Sequence, residues 1–281
     1  MIVDCHTHVR ALDGTETAAH LAAAETVDAC LVLASHEGLR EETNRGLAEY
    51  VSQHQEKMIG LAIADPTQDR LSDKGLASLT EKLGLKGLVC YCAIGGYHPA
   101  HSQAMRFYEA VQEAGLPLFF HNGSHSLSAK AILEYAQPYL LDEVARTFPE
   151  IKIVVGNMGV PFVEQTLSMV SKHENVFADL TIRPSKVWQT YNIVVAAHER
   201  NVMDKLLFGS GFPLGNAGEC IETLLGFNML LADKKLPTVP RGSIRNVIER
   251  NSLELLGIEH SQIELREHRA QAPSPPKPEE P

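Results

Sequence analysis

Hydrophobic residues along this chain fall into short unbroken runs, separated by longer segments in which apolar positions recur with helical spacing. The runs are Ile2 to Cys5, Ala29 to Ala34, Met58 to Ala64, Gly87 to Cys92, Pro117 to Phe120, Ile151 to Gly156, Val176 to Leu180 and Lys205 to Gly209. Runs of this kind, apolar without alternation, suit strands buried on both faces, which is the condition of strands in parallel sheets. Between them, Met105, Tyr108 and Val111 leading into Gln112 to Leu116, and Ile221, Leu224 and Leu225 leading into Asn228 to Leu231, predict amphipathic helices that sheathe the strands. The strand-then-helix repeat predicts an α/β fold, a TIM-like (β/α)8 barrel. An open doubly wound sheet is the alternative, but no Gly-rich phosphate loop follows any of the runs. A last helix, about Ile244 to Leu256 with Gly257 just past its end, predicts an extra C-terminal helix. The expected division is a barrel over residues 1–258 and a polar, then Pro-rich, disordered tail over 259–281.

Composition narrows the function classes. With 281 residues, 44% hydrophobic and 21% charged, the chain has material for one large core. A formal charge of −10, without a Lys/Arg-rich run, argues against a nucleic-acid partner. No apolar stretch reaches the length of a membrane span and no signal peptide is evident, so the expectation is a cytoplasmic protein with a small-molecule substrate and no membrane partner. Oligomerisation is left open. The five cysteines, an odd number set mostly in apolar runs, read as reduced core thiols; Cys90 and Cys92, expected on one face of a strand, are the two with an alternative reading as site residues.

Polar residues punctuate the ends of the predicted strands. Strand one ends in His6 and His8, strand two in Ser35 and His36, strand three in Asp65, strand five in His121, strand six in Asn157, strand seven in Asp179 and strand eight in Ser210. In a parallel barrel those carboxyl ends converge on one mouth, and polar groups there are costly unless paired or functional. Side chains alternate along a strand, so His6 and His8 are expected on one face, together with Asp4. His6, His8 and His121 form a candidate three-nitrogen metal set with an open position for water. Candidate bases by position are His36, Asp65, His98, His101, His125 and Asp179. Tyr97 and His98, in the loop after strand four, and Arg183, after strand seven, are candidate pocket residues; a guanidinium such as that of Arg183 suits a carboxylate. Each has a plainer reading as well: Asp65-Pro66 starts a turn, His98 and His101 are solvated loop residues, Arg183 is a surface arginine.

Taken together, Val3-Asp4-Cys5-His6-Thr7-His8, the segment Gly115 to Gly123, Ile153 to Gly159, Leu207 to Pro213 and Asn251 to Gly257 resemble the amidohydrolase superfamily, in its amidohydrolase-related branch of metal-dependent hydrolases and decarboxylases. The resemblance implies a distorted (β/α)8 barrel with metal at the mouth, where metal-activated water attacks a small amide, ester or lactone, or where a carbon–carbon bond is cleaved instead. Two positions depart from the family pattern. Asn157 stands where a histidine is usual, and Gly211 where an aspartate that binds metal and takes the proton from water is usual. Asn157 can hydrogen bond but cannot titrate near neutrality, and Gly211 offers no side chain at all. Strand four also lacks a lysine at its end, so at most one divalent metal is expected: zinc, with manganese, iron and nickel as alternatives, or no metal.

Three readings follow. The first is a mononuclear hydrolase, or a decarboxylase or other lyase, with metal on His6, His8 and His121 and with Asp179 and Asn157 as catalytic residues, Arg183, His98, Tyr97 and His36 contacting substrate. The second is a catalytically inactive barrel that binds a small molecule or a protein. The third is a metal-free enzyme using Cys92 or a histidine, for which no motif exists in the chain.

Overall fold

A computed structural model of the chain describes residues 1–10, 14–68, 73–122, 129–231 and 235–263. Eight strands, β1 (Val3–Thr7), β2 (Ala29–Leu33), β3 (Met58–Ile63), β4 (Leu88–Cys90), β5 (Leu118–Phe120), β6 (Ile153–Val155), β7 (Val176–Asp179) and β8 (Leu206–Leu207), form one parallel sheet in sequential order. All their residues are buried, as the unbroken apolar runs require of strands packed on both faces. The sheet curls back on itself. The Cys5 N–H donates to the Phe208 carbonyl (2.8 Å), the Gly211 N–H to the His6 carbonyl (2.9 Å) and the His8 N–H to the Phe212 carbonyl (3.0 Å), which bridges β1 to the segment after β8. The result is a TIM (β/α)8 barrel. The seam lies beside the two histidines of β1, and Gly209 is required there because a Cβ would come within 2.9 Å of the His6 Cβ.

Helices sheathe the barrel where the apolar spacing places them. The helix Ser102–Glu113 buries Ala104, Phe107, Tyr108 and Val111, and the helix Ala217–Leu225 buries Ala217, Cys220 and Leu224. The second starts on Asn216, whose side chain accepts from the Glu219 N–H (2.9 Å) and so satisfies one orphan donor of its first turn. The expected C-terminal helix is two pieces, Arg241–Glu249 and Ser252–Leu255. Arg250 is extended between them, and Asn251 caps the second through the Glu254 N–H, a local bond that competes with helix continuation. Gly257 then adopts φ +70 just past the end.

One expectation, on the cysteines, needs correction. Strand β4 stops at Cys90, and Cys92 opens the short helix Cys92–Gly95, so the two cysteines do not share a strand face. The segment after residue 258 begins attached to the barrel: the His260 Nε2–H donates to the Gln55 carbonyl (2.9 Å) and the Gln262 side chain to the Glu56 carbonyl (2.9 Å). The rest of that segment, 264–281, lies outside the described residues. All five cysteines are buried thiols, none in a disulfide. Among the described residues no helix is long and apolar enough to cross a membrane.

The carboxyl end of β3 is held by one buried side chain. Asn44 accepts from the Ile63 N–H (2.8 Å) and donates to the Ile63 carbonyl (3.0 Å), satisfying both backbone groups at once. Asn44→Ala removes both bonds and leaves a buried donor and acceptor unmet, so urea denaturation should show a loss of about 2–4 kcal/mol. A loss below ~0.5 kcal/mol would mean that water takes over both groups.

Candidate metal centre

The three histidines anticipated from strand ends meet at the barrel mouth. His6 Nε2 lies 3.1 Å from His8 Nε2 and 3.0 Å from His121 Nε2, and one ligand atom from each falls within 4.8 Å of the others. Neighbours fix the state of two rings. A carbonyl only accepts, so His8 Nδ1, 3.0 Å from the Leu33 carbonyl, carries its proton, and His8 Nε2 presents a lone pair. His6 Nδ1 donates to Asp179 Oδ2 (2.8 Å), which in the neutral ring leaves a lone pair on His6 Nε2 as well. In that form two acceptor nitrogens face each other at 3.1 Å, an arrangement that a cation between them relieves. Nitrogens sharing one zinc at about 2.0–2.1 Å in tetrahedral geometry sit roughly 3.3 Å apart, close to the spacing found. The donor set therefore fits a single ion with imidazole affinity. Burial, then the charge of neighbouring histidines, pushes His8 down to about 3 and His121 well below the ordinary imidazole range, so both are neutral ligands at neutral pH.

Asp179, 0% exposed, stands behind His6 rather than in the open pocket. Its Oδ1 accepts from the Asn157 N–H (3.0 Å), the Thr181 N–H (3.3 Å) and the Thr181 hydroxyl, and its Oδ2 takes the His6 Nδ1 proton. A carboxylate with four donors is a poor candidate for taking a proton from water. Asn157 contributes through its backbone, in a left-handed conformation (φ 50, ψ 43). Asp4 does not join the imidazole cluster. The β1–β2 register shifts between Asp4 and Thr7, and Asp4 Oδ1 accepts from the Ser210 N–H (2.9 Å) and the His6 N–H (3.2 Å) instead of joining the imidazoles. Burial pushes its carboxyl up to about 6, against those two bonds.

A partly open pocket, with a cavity volume of about 30 Å³, lies over the cluster. Its walls are His6, His8 and His121 with Arg10, Ser35, His36, Tyr91 and the segment Gly211 to Leu214. His36 is thus brought to the cluster, its ring 5.1 Å from that of Tyr91, and burial lowers its pKa below 6.5. Arg10 and Tyr91 were not singled out in the sequence. Arg10 was legible as the next charge after His8, and Tyr91 as the residue alternating between two cysteines; its hydroxyl donates to the Ala34 carbonyl (2.8 Å).

Other candidates sit elsewhere. His98 Nδ1 accepts from the Ala100 N–H (3.0 Å), and the His101 ring caps the helix that follows. Tyr97 is buried, and Asp65 closes a turn on Thr67 with Arg40 3.8 Å away. Arg183 is only 9% exposed, so it is not a surface arginine, and burial lowers it to about 10; it is not among the pocket walls. His125 lies outside the described residues.

Comparison with known proteins agrees with this architecture. The family model described as Amidohydrolase (Amidohydro_2) matches residues 3–258. The chain belongs to the amidohydrolase family. No curated protein gives a significant sequence match. Among solved structures, this amidohydrolase-family chain is similar to a probable 2-pyrone-4,6-dicarboxylic acid hydrolase from Acinetobacter baumannii with citric acid bound, at 15% identity and TM-score 0.65, covering 92% of this chain and 99% of that one. It is similar to 5-carboxyvanillate decarboxylase from Sphingomonas paucimobilis, at 14% identity and TM-score 0.65 over 92% and 99%. A dihydroxybenzoic acid decarboxylase from Polaromonas sp. JS666, with bound manganese and the inhibitor 2-nitroresorcinol, matches at 13% identity and TM-score 0.62 over 93% and 98%. At such identities the likeness concerns the fold.

Gly211, in the pocket wall, has φ +66, and a Cβ there would come within 2.5 Å of Thr181 Cγ2. Any side chain at this position meets both backbone strain and a methyl group. Gly211→Ala should cost about 1–3 kcal/mol in chemical denaturation. An unchanged midpoint would show that Thr181 moves aside freely.

Proposed function

We propose that this chain is a metal-dependent hydrolase of a small ester, lactone or amide, using one divalent ion held by His6, His8 and His121. The observation that carries the reading is the convergence of three imidazole Nε2 atoms at the barrel mouth beside a fourth histidine, His36, that belongs to the pocket but not to the cluster. A divalent ion there acts as a Lewis acid toward a substrate carbonyl and acidifies water. Zinc suits the all-imidazole set best; manganese, present in the Polaromonas decarboxylase, is the alternative, followed by iron and nickel.

The protein's own groups supply the rest. His36, neutral at pH 7 because burial lowers its pKa, takes the proton from the attacking water, a role that neither Gly211 nor the fully bonded Asp179 performs. Arg10 at the rim, with no carboxylate among the described residues of the pocket wall, makes the site attractive to an anionic substrate. Phe212, Pro213 and Leu214 form an apolar wall that limits water around the reacting group.

The same charge balance favours decarboxylation as the second reading. Cleaving a carbon–carbon bond in a small carboxylic acid requires no base to deprotonate water; CO2 leaves without its electron pair, and the carbon that keeps the pair is protonated by a proton that His36, neutral at pH 7, first takes up from solvent. The two readings separate on a panel of esters, lactones and aromatic acids, assayed for hydrolysis and for CO2 release.

His36→Gln should lower kcat on any substrate so found by about a hundredfold or more. In the native protein the hydrolytic rate should rise with pH as His36 deprotonates, with the midpoint of that acid limb below the ordinary imidazole value, since burial, and any cation nearby, both lower its pKa. Full activity in His36→Gln, or an acid limb that survives in it unchanged, would remove His36 from the mechanism.

A further inference from the structure

Every ligand atom offered by the cluster is an imidazole nitrogen, while a buried carboxylate stands one hydrogen bond behind it. Asp179 Oδ2 is 2.8 Å from His6 Nδ1, at the end of β7, and three donors from the segments after β6 and β7 fix its other oxygen. Thr181 has two faces in this arrangement. Its hydroxyl donates to Asp179, and its methyl occupies the space that a side chain at Gly211 would need. The residue that anchors the carboxylate behind His6 thus also helps to keep one out of the pocket wall.

We propose that Asp179 is a positioning residue for the metal centre: it acts through His6, holding that ring in the Nδ1–H tautomer with the Nε2 lone pair aimed at the ion and supplying from behind the negative charge that the three imidazoles lack. This rests on the reading that His6, His8 and His121 bind metal. The physical reason is specific to the carboxylate. It can only accept from His6 Nδ1, so the proton stays on that nitrogen and the ring becomes a stronger donor at Nε2. An amide in the same place can present its NH2 group to Nδ1. His6 would then carry its proton on Nε2 and turn an N–H toward the ion.

Asp179→Asn is close to an isostere that isolates this effect. The amide oxygen can still accept from the Asn157 N–H, the Thr181 N–H and the Thr181 hydroxyl, so the bonds that organise the backbone survive while the bond to His6 reverses. The test is calorimetric titration of Zn2+ into metal-free full-length protein, as wild type, Asp179→Asn and His121→Ala, with thermal unfolding of each metal-free form. The expected result is zinc binding to wild type, its loss in His121→Ala, and a roughly 10- to 100-fold weaker dissociation constant in Asp179→Asn with little change in unfolding temperature. If wild type takes up no zinc, or His121→Ala keeps it, the metal reading and this proposal fall together. If zinc is lost in His121→Ala but Asp179→Asn binds as wild type does, this proposal alone is overturned. A measurement without substitutions guards against a variant that does not fold. Long-range 1H–15N correlation of the imidazoles in metal-free wild type should show His6 protonated on Nδ1, and an Nε2–H ring would contradict the assignment.

Discussion

The hydrogen bond between Asp179 and His6 is the interaction on which the barrel mouth depends. Burying a carboxylate completely costs several kcal/mol unless donors replace its water. Here the donors come from β1, from the turn after β6 and from the segment after β7, so one side chain ties together parts of the chain more than a hundred residues apart. The same bond orients the first candidate ligand. Close to it, the β1–β8 seam is completed by backbone bonds from Cys5, His8 and Gly211, and by Asp4 accepting from Ser210. Closure of the barrel and arrangement of the imidazoles are therefore one problem with one set of contacts.

That arrangement shapes the chemistry. A centre of three neutral imidazoles leaves a divalent ion with more positive charge than one that includes a carboxylate ligand. Arg10 at the rim adds to it, and the described pocket wall contains no acid to offset either. Gly211 cannot be treated as a simple gap awaiting an aspartate, because its left-handed backbone and the Thr181 methyl both oppose a side chain. The pocket has been built around that glycine. In the proposed mechanism proton transfer rests on His36, which lines the pocket.

Much of the fold was legible because strands of a closed parallel barrel are apolar on both faces: seven of the eight runs contain the strand found there, and β1 continues past its run to Thr7. The pairing of His6 and His8 followed from alternation, and the addition of His121 from the convergence of strand ends. What alternation could not foresee is that the Asp4 carboxylate is taken up by the Ser210 N–H across the seam. Nor does sequence position separate a histidine in a pocket from one that caps local backbone: His36, His98 and His101 all follow strands, yet of these three only His36 lines the pocket. The direction of Asp179, toward the back of His6, is a long-range fact fixed by packing between β1 and β7. Arg10 and Tyr91 enter the site for the same reason.

The central claim is that three lone pairs at the barrel mouth are there to hold an ion. The most direct measurement is elemental mass spectrometry of protein purified without chelator or a metal-binding tag, before and after reconstitution with zinc and manganese. This account predicts about one divalent ion per chain. Protein that stays free of metal after reconstitution, with the fold intact, would contradict it and leave a barrel that binds without catalysis.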